Sequence, residues 1–388
     1  ILKSLSDTEI KKKNTSNTEL EDLVVLENWK QSYNSPSHLS KNHSSISSLS
    51  KIKKVTKGAG EKSDSKILSQ PVSIEDNIYF LDAKSNVISY NLLNRRVNWK
   101  KNIAVKNDNN HNIGGGLAIQ QNRLIINSPY GEIIALNIKD GQKLWTKNID
   151  FPLRSAPTLL DNKILSLSNN NNLLVLNIED GDLLWEHRGL FNNTTLMGTP
   201  KVAVDGNIVI VPYSNGDFYG INLLNGKEVW KNSFIDLEQQ ETTNSFMDID
   251  AFPIVKKDLA IITSANGKLI SINKRTGNRL WTRDIYSTQT PAINGNSIFI
   301  INNNKEILCL DLTNGETRWD IQIDEELSKG YTNIWFSPVL INNQLIIVGG
   351  DKKLLIVDPF VGEIKKILRL SGLPSSSPFI VKENVYLF

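Results

Sequence analysis

The amino-acid sequence predicts an all-β protein, an eight-bladed β-propeller in which four-stranded blades repeat around a ring. Three observations point to this fold. A motif of the kind DGQKLW recurs along the chain, short apolar strands alternate with Asn, Asp and Gly turns after Ser69, and most repeats open with a small residue followed by Pro. Self-similarity at this spacing is typical of propeller blades.

The recurring motif places a Gly four positions before a Trp, and an Asn or Asp four positions before the Gly. The five complete pairs are Gly141 and Trp145, Gly181 and Trp185, Gly226 and Trp230, Gly277 and Trp281, and Gly315 and Trp319. Two weaker copies have Arg95 in the Gly place before Trp99, and Lys366 in the Trp place after Gly362. Successive Trp residues from Trp99 to Trp319 lie 46, 40, 45, 51 and 38 residues apart, enough for four short strands and their turns.

Each part of the motif has a structural purpose. The Asx residue and the Asp-Gly pair tolerate positive φ and bond to their own backbone, so two strands can reverse tightly. The Trp then lies on the following strand, where its large apolar ring can be buried between adjacent blades. We therefore expect the Trp and Gly residues of the repeats to hold the fold together and not to bind a ligand.

The number of repeat openings exceeds the number of repeat endings by one. The openings are at Pro71, Leu117, Pro157, Pro200, Pro253, Pro291, Pro338 and Pro378, against seven motif copies. The last unit, PFIVKENVYLF, stops at Phe388 with one or two strands. Because an open ring would leave bare strand edges, we expect the N-terminal side to supply the missing outer strand, with Leu49–Lys57 as the candidate.

The first part of the chain has a different texture. Residues 1–66 are rich in Ser, Asn and Lys, carry a net charge of +4, and show no sustained period. We predict an extended or disordered N-terminal lead-in at residues 1–48 and the propeller at residues 49–388.

Composition excludes several functions. The remaining 32 basic and 33 acidic residues nearly cancel and form no basic stripe, so nucleic acid is not an expected partner. The single Cys309 sits in an alternating apolar stretch, and the four His have no partners at metal-ligand spacing, so neither a catalytic nor a metal site is predicted. The sequence contains no run of 18 apolar residues, so no membrane-spanning helix is predicted. The chain begins at Ile1 and not Met, and we expect a secretory signal or lipid-attachment Cys, if one exists, upstream of it.

The composite repeat Ala135-x-Asn137-x-x-Asp140-Gly141-x-x-x-Trp145 resembles the tryptophan-docking repeat of the quinoprotein-type (PQQ-like) propellers over residues 69–388. This superfamily has two branches: dehydrogenases that hold pyrroloquinoline quinone, and the BamB family of outer-membrane protein assembly lipoproteins, which has no cofactor. The dehydrogenases use an adjacent Cys pair, a metal ion held by Glu, Asn and Asp, and a catalytic Asp. With one Cys and no dense carboxylate cluster, the chain is more similar to the BamB branch, and no cofactor is expected.

Two further segments resemble the BamB branch. ENWKQSYNSPSHLSKN, at positions 27–42, looks like the NW-x-Q segment that precedes the propeller in some BamB-like proteins. The long connection after the fourth blade contains DIDAFP, which is similar to the Asp-x-Asp-x-x-Pro segment through which the family contacts POTRA domains. On that resemblance Asp248 and Asp250 match the two acidic positions, with Phe246 and Met247 as apolar neighbours.

A second family contact loop lies between the third and fourth blades. There the sequence GLFNNTTLMGTP offers Leu196 and Met197 as apolar anchors, but the family's Leu-x-Leu-Arg element is not reproduced.

The resemblance implies a non-enzymatic, monomeric scaffold at the periplasmic face of the bacterial outer membrane. It would bind the POTRA domains of a BamA-type insertase and other subunits of the barrel assembly (BAM) machinery. Two alternatives remain open: a periplasmic propeller that binds another protein or polymer, and a quinone-dependent dehydrogenase.

Overall fold

A computed structural model describes residues 18–46, 49, 54–60, 69–105, 114–190, 200–234, 249, 251–264, 267–324, 334–349 and 352–388. Within these ranges the strands form seven four-stranded antiparallel sheets and one two-stranded sheet, each sheet built from consecutive strands. The helical structure in the same ranges is one 3-10 turn, Ser32–Asn34. No helix in the described part of the chain has the length and apolar character to cross a membrane. The all-β, eight-bladed fold predicted from the sequence is confirmed.

Each sheet is one blade, and the strands are numbered in chain order. Blade 1 contains β1 (Val72–Ile74), β2 (Asn77–Leu81), β3 (Asn86–Asn91) and β4 (Arg96–Asn102); blade 2 contains β5 (Gly116–Gln120), β6 (Arg123–Ser128), β7 (Glu132–Asn137) and β8 (Lys143–Asn148). Blade 3 contains β9 (Thr158–Leu160), β10 (Lys163–Leu167), β11 (Asn172–Asn177) and β12 (Leu183–Arg188); blade 4 contains β13 (Ala203–Asp205), β14 (Ile208–Pro212), β15 (Asp217–Asn222) and β16 (Glu228–Ser233). Blade 5 contains β17 (Ile254–Lys256), β18 (Leu259–Thr263), β19 (Lys268–Asn273) and β20 (Arg279–Asp284); blade 6 contains β21 (Ala292–Asn294), β22 (Ser297–Ile301), β23 (Glu306–Asp311) and β24 (Thr317–Gln322). Blade 7 contains β25 (Val339–Ile341), β26 (Gln344–Gly349), β27 (Lys353–Val357) and β28 (Ile364–Arg369); blade 8 contains β29 (Phe379–Val381) and β30 (Asn384–Tyr386).

The position of a strand within its blade determines its burial. First strands of neighbouring blades contact one another, as β1 does β5 and β5 does β9, so they surround the central channel. Second and third strands, such as β14 and β15, are buried almost throughout because apolar side chains pack against the blades on both sides. Fourth strands such as β8 are largely exposed at the outer surface. The core is therefore a series of apolar layers between blades.

The repeat Trp residues join each blade to the next. Trp99 in β4 donates its indole Nε1–H to the Ile138 carbonyl of blade 2 at 2.9 Å. The same bond to the next blade is made by Trp145 to Ile178, Trp185 to Leu223, Trp230 to Lys274, Trp281 to Leu312 and Trp319 to Pro359. Burying an indole with its N–H satisfied stabilises the contact without leaving an unpaired donor.

The repeat Gly residues are the surfaces on which these indoles dock. Gly141 has φ +70°, and a Cβ added there would lie 2.7 Å from the Trp99 ring. The matching pairs are Gly181 with Trp145, Gly226 with Trp185, Gly277 with Trp230, Gly315 with Trp281 and Gly362 with Trp319. Gly is therefore required at each of these positions for two reasons: the backbone is left-handed, and the indole ring approaches too closely for a Cβ.

The ring closes between blades 8 and 1. Leu49 packs against the apolar cluster that contains β29, and the Tyr90 hydroxyl of blade 1 donates to the Val55 carbonyl at 3.0 Å. The N-terminal segment thus contacts both blades at the junction. Residues 50–53 of the proposed closing strand Leu49–Lys57 lie outside the described residues, and the division of the chain at residue 48 stays a prediction.

The two ends of the propeller carry different connections. Because the strands of a blade are antiparallel, the turns between first and second and between third and fourth strands lie at one end, here called the turn face. The turns between second and third strands and the connections from blade to blade lie at the opposite end, the loop face.

Candidate partner-binding face and central channel

The six residues predicted to bind a partner, Leu196, Met197, Phe246, Met247, Asp248 and Asp250, lie outside the described residues. Their flanking residues are described, and the strand ends from which the two segments depart and to which they return lie at the loop face. One segment joins β12 to β13 and the other joins β16 to β17, so the two are neighbours across blade 4. The sequence prediction therefore concerns adjacent segments of a single face.

Buried contacts hold the ends of the two segments. His187, the penultimate residue of β12, hydrogen-bonds the Tyr213 hydroxyl at 2.6 Å and Glu228 at 2.8 Å, and its ring stacks on Tyr213. Gly189 lies against the same Tyr213 ring, where a Cβ would come within 2.5 Å. The second segment is bounded by the buried residue Phe234 and by Ile249, which is fully buried. Both predicted segments therefore start from rigid positions.

The loop face also exposes apolar side chains that the sequence analysis did not single out. Six blade-to-blade connections each present one: Val105, Phe151, Leu190, Tyr286, Ile334 and Leu373. Leu190, beside the first predicted segment, is 67% exposed. Single exposed apolar residues are ordinary, and the turn face exposes Leu93, Leu224, Phe360 and Val361. The loop face differs in that an exposed apolar side chain occurs in six blade-to-blade connections, which only the blade topology makes visible.

The central channel contains the chain's own residues 24–46, here called the channel segment. It meets the blades in ring order. The Leu26 carbonyl accepts a hydrogen bond from Lys382 N of blade 8 at 2.8 Å, and Trp29 exchanges two backbone bonds with Ser73 of blade 1 at 2.6 and 3.1 Å. The Lys30 carbonyl then accepts from Ile119 N of blade 2 at 2.7 Å. The Gln31 side chain makes two bonds to the Leu159 backbone of blade 3, at 2.9 and 3.2 Å. Carbonyl oxygens of the next part of the segment accept bonds from three blades: Pro36 from Val204 N of blade 4 at 2.8 Å, Ser37 from Val255 N of blade 5 at 2.9 Å, and Ser40 from Asn294 Nδ2 of blade 6 at 3.5 Å. In the last part the segment donates: His43 N to Leu340 O of blade 7 at 3.0 Å, and Ile46 N to Glu383 O of blade 8 at 3.0 Å.

The side chains of the channel segment fill the interior. The Trp29 ring packs on Phe379 and on His43, with ring centres 6.4 Å and 5.7 Å apart respectively. Both Trp29 and His43 are 2% exposed. Tyr33 reaches the opposite wall, where its hydroxyl bonds Ser337 and Thr290, and burial raises its pKa. The channel of this propeller is therefore occupied by polypeptide.

Three groups that could carry charge, His38, Lys201 and His43, are buried in the channel. Burial lowers the pKa of His38 to about 3, despite the bond from its Nδ1 to the Pro253 carbonyl at 2.9 Å, and the charge of Lys201 acts in the same direction. Burial lowers the pKa of Lys201 to about 7; its ammonium contacts Ser32 Oγ and lies 4.8 Å from the centre of the Phe252 ring. His43 has its pKa lowered to about 4, by burial and by Lys41.

The groups with which the quinone-dependent dehydrogenases hold their cofactor can be compared with the residues of this chain. Their adjacent Cys pair has no counterpart, because the single Cys309 is buried in β23 among core side chains between blades 6 and 7, where burial raises its pKa to about 11. The channel segment fills the centre of the ring. The residues present do not fit a bound quinone. In the described ranges, no group of three or more His, Cys, Asp or Glu side chains is placed to hold a metal ion.

The blade architecture and the docked indoles define the class of protein: a tryptophan-docking propeller of the PQQ-like type. Solved structures agree with the fold. BamB from Moraxella catarrhalis superposes with a TM-score of 0.70 at 18% identity, covering 82% of this chain and 92% of that one. A europium-containing methanol dehydrogenase superposes with a TM-score of 0.63 at 14% identity, covering 82% of this chain and 81% of that one. At such identities the likeness shows the fold alone.

Sequence comparison is more specific. Residues 83–321 match the family described as outer membrane protein assembly factor BamB, and the chain belongs to that family. An uncharacterized protein of Rickettsia conorii is 28% identical over 334 residues, covering 81% of this chain and 80% of its own length. The outer membrane protein assembly factor BamB of Shewanella oneidensis is 25% identical over 277 residues, covering 71% of this chain and 68% of its own length.

Proposed function

We propose that this chain is a non-enzymatic scaffold subunit of the outer-membrane β-barrel assembly machinery, acting at the periplasmic face of the outer membrane. In this proposal its loop face binds POTRA domains of a BamA-type insertase. The observation that carries the proposal is that the strand ends flanking the two predicted contact segments share one face on either side of blade 4 and are held by buried residues. Membership of the BamB family supports the same function.

The loop face has the physical character that such a contact needs. A stable interface buries about 1,200–2,000 Å² and gains most of its free energy from a few desolvated apolar residues. Leu190 and the other exposed apolar side chains of this face provide candidates for burial. Asp248 and Asp250 would contribute orientation and charge complementarity at the edge of the contact.

Of the two alternative functions, the dehydrogenase needs the channel, and the propeller that binds another protein or polymer could use either the channel or a face. A propeller that takes a partner's peptide, or a quinone, into its centre needs an accessible channel, and here residues 24–46 occupy it. This observation favours the scaffold over the dehydrogenase and over a propeller that takes a partner into its channel; binding of another protein or polymer through a face stays an alternative. Addition of pyrroloquinoline quinone and calcium tests the dehydrogenase directly: a bound quinone band with dye-linked turnover would overturn the proposal.

Binding to the POTRA fragment of the same bacterium's insertase, measured by calorimetry, tests the scaffold function. The variant Asp248→Arg with Asp250→Arg is expected to weaken binding at least tenfold. A matched control reverses two exposed charges on the turn face, Asp182→Arg with Glu316→Arg. Absence of binding by the unmodified chain, or equal loss in both double variants, would contradict the proposal.

A further inference from the structure

We infer that the central channel is a peptide-binding site, and that its resident ligand is the chain's own channel segment, residues 24–46, which holds the ring closed. The inference is independent of the proposed function. It rests on three features of the channel: the order of the backbone contacts, the burial of the anchoring side chains, and the two contacts that the segment makes with blade 8.

The order of contacts shows that the segment binds the whole ring. Its backbone or side-chain amides reach the first strand of every blade, or the turn that follows it, and the blades are met in succession from 8 through 1 to 7 and back to 8. The channel-facing edges of first strands carry N–H and C=O groups that need partners. Extended peptide satisfies such edges through main-chain bonds, as in strand addition to a sheet.

Side chains give the segment its position along the circuit. Trp29, His38 and His43 are buried in the channel and Tyr33 is half-buried; Trp29 packs on Phe379 of blade 8, and Tyr33 and His38 pack on Phe252 beside blade 5. The wall residues at the blade openings include small polar ones such as Ser337 and Ser377, which leave room for these rings. The channel thus combines sequence-independent backbone pairing with a few specific anchors.

The circuit meets the junction between blades 8 and 1 twice. Leu26 bonds Lys382 and Ile46 bonds Glu383, both of blade 8, and Val24 N donates to the Asn42 carbonyl at 2.8 Å, so the two ends of the segment pair with each other. Between these points Trp29 pairs with Ser73 of blade 1. Blade 8 has two strands within the described residues, and the segment ties it to blade 1 on the channel side.

Cleavage of the full chain tests this inference. The recognition sequence of a site-specific protease is inserted within residues 47–53, and the purified protein is cut. We expect the N-terminal piece to co-elute with the propeller on size exclusion, and an excess of labelled synthetic peptide of residues 18–46 to exchange into the cut complex. Release of the piece from a propeller that keeps its melting temperature would overturn the inference, as would a dimer held by exchanged segments.

Hydrogen exchange in the uncut chain gives a second measurement that does not depend on cleavage. The amides of Ile119, Val204 and Val255 donate to the segment and are expected to be protected. In the Trp29→Ala and His43→Ala double variant their exchange is expected to accelerate at least tenfold.

The matched control removes two exposed apolar side chains of the same segment, Val25→Ala with Ile46→Ala. These side chains do not anchor the segment, so exchange at Ile119, Val204 and Val255 should stay at the unmodified rate. Unchanged exchange in the anchor variant, or equal acceleration in the control, would overturn the inference.

Discussion

The centre of the propeller and its loop face differ in what covers them. In the channel, polypeptide already occupies the polar edges of the first strands, and large side chains such as Trp29 are buried. On the loop face, apolar side chains such as Leu190 are exposed at successive blade connections. The comparison teaches that the strand edges at the centre of a propeller can be paired with the chain's own segment while apolar side chains at one end stay exposed.

The largest expected effect comes from the contacts between blades, which both regions depend on. Replacing Trp281 by Ala removes a buried indole and its bond to the Leu312 carbonyl. We expect a loss of about 3–5 kcal/mol in the free energy of unfolding, measured by denaturant titration. The neighbouring Leu280→Ala, at a side chain that is 51% exposed, should change it by less than about 0.5 kcal/mol. Equal effects would contradict the assigned role of the indoles.

A smaller effect is expected at the Gly surfaces that receive the indoles. Gly277 has φ +75°, and a Cβ there would lie 2.7 Å from the Trp230 ring; Gly206 has φ +59° with open space around it. Gly206→Ala carries only the backbone strain, about 1 kcal/mol. Gly277→Ala adds steric overlap and should cost about 2–4 kcal/mol. If thermal unfolding ranks the two variants equally, the close approach of the ring is not what selects Gly.

The channel should respond to acid more than the loop face does. His38 and His43 have pKa values lowered to about 3 and about 4 from 6.5, so the unfolded chain takes up protons that the folded chain does not. Their contribution is complete above pH 6.5 and is lost as the pH falls toward 4. At pH 5 each His should account for a loss on the order of 2 kcal/mol relative to pH 7.

Melting temperature measured from pH 7 to pH 5 checks this prediction. The His38→Gln and His43→Gln double variant should show a flatter dependence over that interval, whatever its stability at pH 7. A variant that loses stability with acid as steeply as the unmodified chain would show that other groups cause the effect.

The smallest effect on stability is expected on the loop face. Leu190→Ser replaces a side chain that has little contact to lose, so the free energy of unfolding should change by less than about 0.5 kcal/mol. Under the proposed function, the same substitution should weaken binding of the POTRA fragment in calorimetry. A stability loss above about 1 kcal/mol would show that Leu190 belongs to the fold and not to a binding surface.

The fold could be predicted because the residues that define each repeat lie close together in the sequence. In NIKDGQKLW the turn residues, the Gly and the Trp all lie within nine positions, and repetition makes the pattern specific. The indole bonds and Gly contacts are direct consequences of that pattern. Arg95 occupies a Gly place and has φ 57°, so the weaker copy keeps the same backbone turn with a less favourable residue.

The channel segment could not be predicted from its own residues. It lacks a period because its partners are backbone edges of eight blades, as distant as Leu340 from His43, and not side chains of a local core. Its Ser, Asn and Lys content therefore predicts an extended or disordered lead-in, although Trp29 in NWKQ is an apolar signal within it. The apolar side chains of the loop face were missed because each lies alone in its connection, and only the topology brings them to one end.

The most direct test is hydrogen exchange of the full chain with and without the POTRA fragment. The account predicts added protection on the loop face, in the segments at 189–200 and 231–253, and no change in residues 24–46. Protection confined to the turn face, or release of the channel segment when the partner binds, would contradict the division between a filled centre and a binding loop face.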